Sequence, residues 1–412
     1  LENNLSKNPT LRPLDFQPVY YQGQQMWYLR DPLQLTQYQI IMPPALAQML
    51  LFCDGTRSPQ QIHEAFCQHL GERVEYEIIA DALQQLDVAC LLENETSRRA
   101  VTHLITSYRA QPHRPPALAN LSYPGNVAAL THLFEGYGQR DDLNGWPAWQ
   151  GRGIVSPHID YQRGGPVYSQ VWRRAEAAVL EADLVVILGT DHNGGQGTFT
   201  LSRVPYATPF GVLPTDLDLI DKVAEAIGPE EAYKEEIHHR NEHSVELSAV
   251  WLHYLYHRAK VPPPPMVPIL VGSFHHFVMN GGHPGRNRLL MTAVDTLKHG
   301  TAGKNVLIVA SVDLAHVGPA FNDNFVMDAA RRERLREEDK GLLKAILKGD
   351  AASFYDQIAA VEDRNRICGF SPIYLMLRYL ETVENGVRVD YQHCPADEQN
   401  NSLVSISGLL LE

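Results

Sequence analysis

The chain has 412 residues, 44% of them hydrophobic and 20% charged, a globular make-up too long for one ordinary core. Its formal net charge of −13 excludes a broad nucleic-acid surface, which needs a basic stripe to displace counterions. No apolar run approaches the length of a membrane span and no basic-then-apolar leader opens the sequence, so the expectation is a cytoplasmic protein that binds neither nucleic acid nor membrane.

Residues 1 to about 35 are rich in Pro, Gln and Tyr and read as extended or hairpin-like. The next stretch, PPALAQMLLFCDGTRSPQQIHEAFCQHL, gives an apolar helix ending near Cys53, a turn at DGT, and a second helix. Ser58 is placed to cap that second helix, with Pro59 at its first position and Ile62, Phe66 and Leu70 at helical spacing. A third helix follows in EYEIIADALQQLDVACLLEN, so residues 1–110 read as a small winged-helix-like domain. Over that span there are 8 Lys and Arg against 12 Asp and Glu. The sign is wrong for phosphate contacts and points to a peptide or protein partner. LFCDGTRSPQQI and the helices after it resemble the small PqqD-like peptide-recognition modules. Cys53, Cys67 and Cys90 stand in apolar helical context and read as small buried hydrophobes. With Cys368 and Cys394 they make a sparse, odd set that fits a reducing compartment better than a disulfide scaffold.

The Pro-rich segment 111–120 reads as a linker. From 121 to 412 the pattern changes. EADLVVILGTDH, MVPILVGS and NVLIVASVDLAH carry short continuous apolar runs, and helical patterns such as SQVWRRAEAAVLEA and DLDLIDKVAEAIG alternate with them. That alternation indicates a layered α/β/α domain with a central, mostly parallel or mixed sheet buried on both faces.

Sites in open α/β sheets form beyond the carboxyl ends of strands. The strand ending at Val155 is followed by His158 and Asp160, the one ending at Leu188 by Asp191 and His192, and the one ending near Ala310 by Asp313 and His316. Three strands thus deliver imidazole and carboxylate groups to one rim, and a shared polar site is expected there. In RNEHSVELSAVW, Asn241 reads as a helix cap, with His243 and Glu246 on one face of the first turn. The helix dipole at that position keeps an imidazole neutral, the form that a ligand or a base requires. In DRNRICGFSPIYLMLRYL, Cys368 stands just ahead of a helix start at Ser371-Pro372, with Arg364 and Arg366 close by, a setting that favours thiolate.

SPHIDYQRGG, ILGTDHNGG, NEHSVEL, VPILVGS, SVDLAHVG, NRICGFSPI and SLVSISGLLL follow one another in the order expected of the Memo family. The chain resembles that family over roughly residues 120–412, and the family is similar in fold to the class III extradiol dioxygenases. The resemblance implies a metal site of two His and one Cys, carried here by His158, His192 and Cys368, with His243, Asp313 and His316 as the surrounding pocket. It implies non-haem iron, or copper, and oxygen chemistry on a small aromatic or peptide substrate. His316 would be an acid or base oriented by Asp313. Where the related dioxygenases use a carboxylate ligand, this chain offers Cys368, which changes the softness of the site. Asp160 would orient the ligands or add one, Arg163 would meet substrate, and Gly164-Gly165 would permit close backbone approach. Two other readings compete: a metal- or peptide-binding adaptor without turnover, and a metal-assisted hydrolase.

Overall fold

The protein is described by a computed structural model over residues 7–139 and 148–412. The chain divides into two compact units, Leu1–Ala110 and Gln111–Glu412.

In the first unit, β1 (Asp15–Tyr21), β2 (Gln24–Arg30) and β3 (Ile40–Met42) form an antiparallel sheet in that order. Gln22 and Gly23, between β1 and β2, have φ of 49° and 80°, the left-handed pair that lets a two-residue hairpin follow the strand twist. Helices α1 (Pro44–Ala47), α2 (Pro59–Leu70), α3 (Tyr76–Val88) and α4 (Glu95–Arg109) follow. Ser58 caps α2 as its sequence indicates: its hydroxyl accepts from the Gln61 N–H, and the Gln61 side chain accepts from the Ser58 N–H. Ile62, Phe66, Ile79, Leu83 and Leu86 close a core with Leu29 of β2. All three strands precede the helices, so among the described elements this unit is a small sheet followed by helices, with Leu92 after α3 bridged antiparallel to Leu11.

The second unit is built on β4 (Gly153–Ser156), β5 (Leu184–Thr190), β6 (Phe199–Leu201), β9 (Met266–Val271), β10 (Val306–Ser311), β11 (His316–Val317), β12 (Gly386–Pro395) and β13 (Leu403–Leu411). A separate ribbon pairs β7 (Tyr206–Thr208) with β8 (Gly211–Leu213). The main sheet runs β12-β13-β4-β10-β5-β9-β6, with β11 also paired to β13. The four central strands are parallel, β13 is antiparallel to β4 and β6 to β9, so the sheet is mixed.

Strand alternation sends Val185 and Ile187 to one face and Leu184, Val186 and Leu188 to the other, and both sets are buried. Two-sided burial is why these strands read as unbroken apolar runs. One face is covered by α5 (Val127–Gly138), α6 (Tyr161–Leu180) and α9 (His243–Ala259). The other is covered by α7 (Leu217–Ile227), α11 (Arg288–Gly300), α12 (Ala329–Leu347), α13 (Ala351–Ala359) and α14 (Phe370–Leu380), while α8 (Pro229–Tyr233) and α10 (His275–Met279) are short. No helix among the described residues is long and apolar enough to cross a membrane.

Segment 111–120 differs from the linker expected of it. Its backbone pairs beside β7, through Arg114 N–H to the Pro205 carbonyl (2.7 Å) and Ala207 N–H to the Arg114 carbonyl (2.9 Å). The Arg114 side chain is fully buried, 2.6 Å from Glu246 and 4.7 Å above the Tyr206 ring centre. Proline content reports the lack of helix, but only the fold shows that the arginine has a buried carboxylate to meet.

Candidate metal centre

Each expected strand end delivers its side chain to one rim, with the strands one or two residues longer than their apolar runs suggest. β4 ends at Ser156, just before His158; β5 ends at Thr190, before Asp191 and His192; β10 ends at Ser311, before Asp313. His243 is the first residue of α9, and Cys368 precedes α14. Gly164 and Gly165 lie within α6 near its start, and a side chain at Gly165 would collide with the Tyr137 ring.

The His158 ring is buried and its Nδ1 lies 3.0 Å from the Ser311 carbonyl. A carbonyl only accepts, so Nδ1 carries the proton and Nε2 presents its lone pair to the site. Cys368 Sγ lies 3.2 Å from that Nε2, 3.5 Å from His192 Nε2 and 3.5 Å from the Thr190 hydroxyl. One ring nitrogen from each of His158, His192 and His243 falls within 4.8 Å of the other two. The His192 and His243 rings stack, 18° from parallel with centroids 4.7 Å apart. His192 is the one beside Cys368.

Glu242, which sequence reasoning missed, organises this group. It replaces Asn241 as the α9 cap, accepting from the His243 and Ser244 N–H groups at 2.8 and 3.0 Å. Oε1 lies 3.0 Å from Nδ1 of both His192 and His243, and the His192 backbone N–H donates to Oε2 at 3.1 Å. One buried carboxylate thereby puts the proton on Nδ1 of both rings and leaves both Nε2 atoms facing the site. Burial alone would raise the Glu242 carboxyl; His192 and His243 outweigh it and hold it well below the usual range. Burial pushes His192 down, yet Glu242 and Cys368 raise it well above the ordinary imidazole value. His158, buried and facing two other imidazoles, is held well below it. The acidic residue directly before His243 in NEHSVEL was the available signal.

Several expected roles change. Asp313 does not orient His316; it accepts from the backbone N–H groups of His158 (3.0 Å) and Ile159 (3.2 Å) and so fixes the turn that carries His158. Burial raises its carboxyl to about 6. His316 Nδ1 donates to the Leu314 carbonyl (3.1 Å), and burial lowers this imidazole to about 4. Arg364 and Arg366 turn away from Cys368, toward Glu338 and toward Asp323 at 2.5 Å. Glu246 faces Arg114, the Tyr123 hydroxyl and the Ala117 and Leu118 N–H groups, not His243. Asp160 caps α6 and pairs with Arg163, whose guanidinium also donates to the Pro395 carbonyl.

The imidazoles open into a cavity of about 600 Å³. His158, His192, His243 and His316 share it with an apolar wall that includes Leu118, Ile159, Leu247, Phe321 and Val404. The donor set suits a metal ion. Bonds of about 2.0–2.3 Å at tetrahedral angles put neighbouring nitrogen and sulfur donors about 3.5 Å apart. The observed separations from Cys368 Sγ are 3.2 and 3.5 Å.

A family model described as Memo-like protein matches residues 114–410. A MEMO1 family protein of Aquifex aeolicus is 27% identical over 407 residues, 98% of this chain and 99% of its own length. Another from Methanosarcina acetivorans is 29% identical over 272 residues, 64% of this chain and 85% of its own. A third from Thermus thermophilus is 26% identical over 298 residues, 71% of this chain and 82% of its own.

Proposed function

The chain belongs to the Memo-like family, and from that premise we propose that it is a metal-dependent redox protein whose His158, His192 and Cys368 hold non-haem iron or copper. The observation that carries this reading is the approach of one sulfur to the Nε2 atoms of two imidazoles whose Nδ1 atoms each face a buried acceptor. Iron or copper held there would supply a redox couple with open positions for oxygen and substrate. A thiolate ligand suits that chemistry better than the water activation of a hydrolase. The likeness to class III extradiol dioxygenases read in the sequence supports the same direction.

The chain's own groups then divide the work. The cavity, with its apolar wall beside the imidazoles, would accommodate a small aromatic or peptide substrate. His316, lowered to about 4, is neutral near pH 7 and acts as a proton acceptor through its Nε2. His243 presents a second Nε2 beside the ligand His192, and Asp313 holds the His158 turn.

The test is anaerobic loading with iron(II) or copper, followed by optical spectra and oxygen uptake with aromatic reductants. The wild-type chain should show a sulfur-to-metal absorption that Cys368→Ser abolishes. His316→Ala should keep the metal and slow turnover by roughly 10²–10⁴-fold. Metal retention with unchanged spectra in Cys368→Ser would remove the thiolate. Tight metal binding with no oxygen uptake would favour the adaptor reading.

A second reading concerns the N-terminal unit, where a groove of about 470 Å³ runs between Tyr38–Ile40 and Asp81, Gln84, Gln85 and Val88 of α3. β3 beside it is an edge strand, which can pair with an extended peptide. We assign this groove to a peptide or protein partner. A photoreactive residue at position 38 that captures no peptide would remove that assignment.

A further inference from the structure

Outside the centre just described, Asp191, Glu235 and His238 bring one donor atom each within 4.8 Å of the other two. Asp191 is the first residue past β5, and its carboxylate is buried. Glu235 and His238 come from the segment just before α9; Glu235 stands ahead of a 3₁₀ turn spanning Glu236–Arg240, and its carboxylate accepts from the Gly195 N–H at 3.0 Å. His238 Nδ1 lies 2.9 and 3.1 Å from the two Asp191 oxygens. Among the described residues neither Asp191 nor Glu235 forms an ion pair with lysine or arginine.

We propose that Asp191, Glu235 and His238 form a second divalent-cation site. Bonds of about 2.1 Å at right angles separate neighbouring donors by about 3 Å; Asp191 and His238 stand at that spacing, 2.9 Å, where the His238 Nδ1–H now donates to the carboxylate, and the ion would take the place of that proton. Once that proton has left, the two carboxylates and the neutral imidazole carry two negative charges, which a divalent ion balances. The backbone leaves room for this arrangement only because residues 194 and 195 are glycine. A Cβ on Gly194 would come 2.6 Å from the Asp191 carboxylate, and one on Gly195 would come 3.0 Å from Glu235. Two oxygen donors and an imidazole without sulfur make this site harder than the one at Cys368, so manganese(II), which has little affinity for thiolate, discriminates between the two. Such an ion ties the end of β5 to the turn before α9. Those are the two pieces of chain that bring His192 and Glu242 to the first centre, since Asp191 precedes His192 and His238 precedes Glu242 by four residues.

The probe is manganese(II) alone, added to the full chain under reducing conditions and counted by paramagnetic resonance and equilibrium dialysis. The first centre is disabled by Cys368→Ser with His158→Gln. One manganese per chain should still bind, and adding Glu235→Gln should weaken it at least tenfold, with circular dichroism unchanged. His238→Gln in the same background gives an independent second variant. No manganese bound with the first centre disabled would overturn the proposal, as would affinity unmoved by both Glu235→Gln and His238→Gln. Equal manganese stoichiometry before and after disabling the first centre, with sensitivity to Glu235→Gln, supports the second site and counts separately against manganese occupancy of the first.

Discussion

Glu242 serves as helix cap and as the partner of two imidazoles, and these duties use the same oxygens. Glu242→Gln keeps one acceptor oxygen but turns an amide NH₂ toward groups that themselves donate. The tautomers of His192 and His243 are then no longer dictated. Metal affinity should fall about 10–100-fold, the usual cost of losing such a partner, measured by competition with a chelator; an unchanged affinity would show that the rings hold themselves. The histidines were legible because they follow apolar runs, and Glu242 was not, because its role exists only once β5 and α9 meet. Asp339 makes a different case, remote from the metal centre. It is fully buried, accepts from the Tyr391 hydroxyl at 2.7 Å, and burial raises its carboxyl from 3.8 to about 6. The folded state therefore holds this proton more tightly than the unfolded chain. The resulting stabilisation is complete below about 3.8 and is lost as pH rises through about 6. Asp339→Asn should flatten the slope of urea stability against pH across that window, on the order of 1–3 kcal/mol in total. An identical slope in both proteins would mean another group sets it.

At the scale of elements, α9 depends on a strap made by residues 111–123. Arg114 donates to the carbonyls of His239 and Glu242 while pairing with Glu246, and Glu246 in turn receives the Ala117 and Leu118 N–H groups. The strap thus holds both ends of the chain segment that presents Glu242 and His243. Arg114→Met removes the only guanidinium that the Glu246 carboxylate meets among its described ion pairs, so a buried charge is left unpaired. A loss of about 3–5 kcal/mol is expected in urea denaturation, and adding Glu246→Gln should restore part of it. No loss in the single variant would mean that Tyr123 and the two N–H groups suffice for Glu246. The strands of this unit were readable because two-sided burial leaves a local mark, a run of Val, Ile and Leu. The strap left no such mark. Proline spacing looks alike whether a segment crosses solvent or lies against a core, and a lone arginine in it reads as surface until Glu246 is placed beneath it. The α9 cap was misread for a related reason: Asn241 and Glu242 both suit a helix start, and contacts from the β5 loop decide between them.

At the scale of the molecule, the division at Ala110 separates two sets of buried residues. The cluster of Ile62, Phe66, Ile79 and Leu83 lies wholly in the first unit, and those around β5 and β10 wholly in the second. The family match begins at residue 114, so the chain can be cut between these landmarks. Removing residues 1–110 leaves Arg114, Ala117 and Leu118 in place and every residue of the candidate centre with its partners. That shortened chain should fold, unfold cooperatively in urea and retain metal affinity within about threefold, since none of its ligand contacts is touched. Removing residues 1–118 deletes the arginine and both backbone donors to Glu246. It should lose on the order of 3–5 kcal/mol relative to the first truncation and bind metal more weakly as the start of α9 loosens. Urea titrations and chelator competition on the two truncations, side by side, decide the matter. Equal stability of the two would show that the strap is dispensable, and failure of the longer fragment to fold would show that the second unit needs the first.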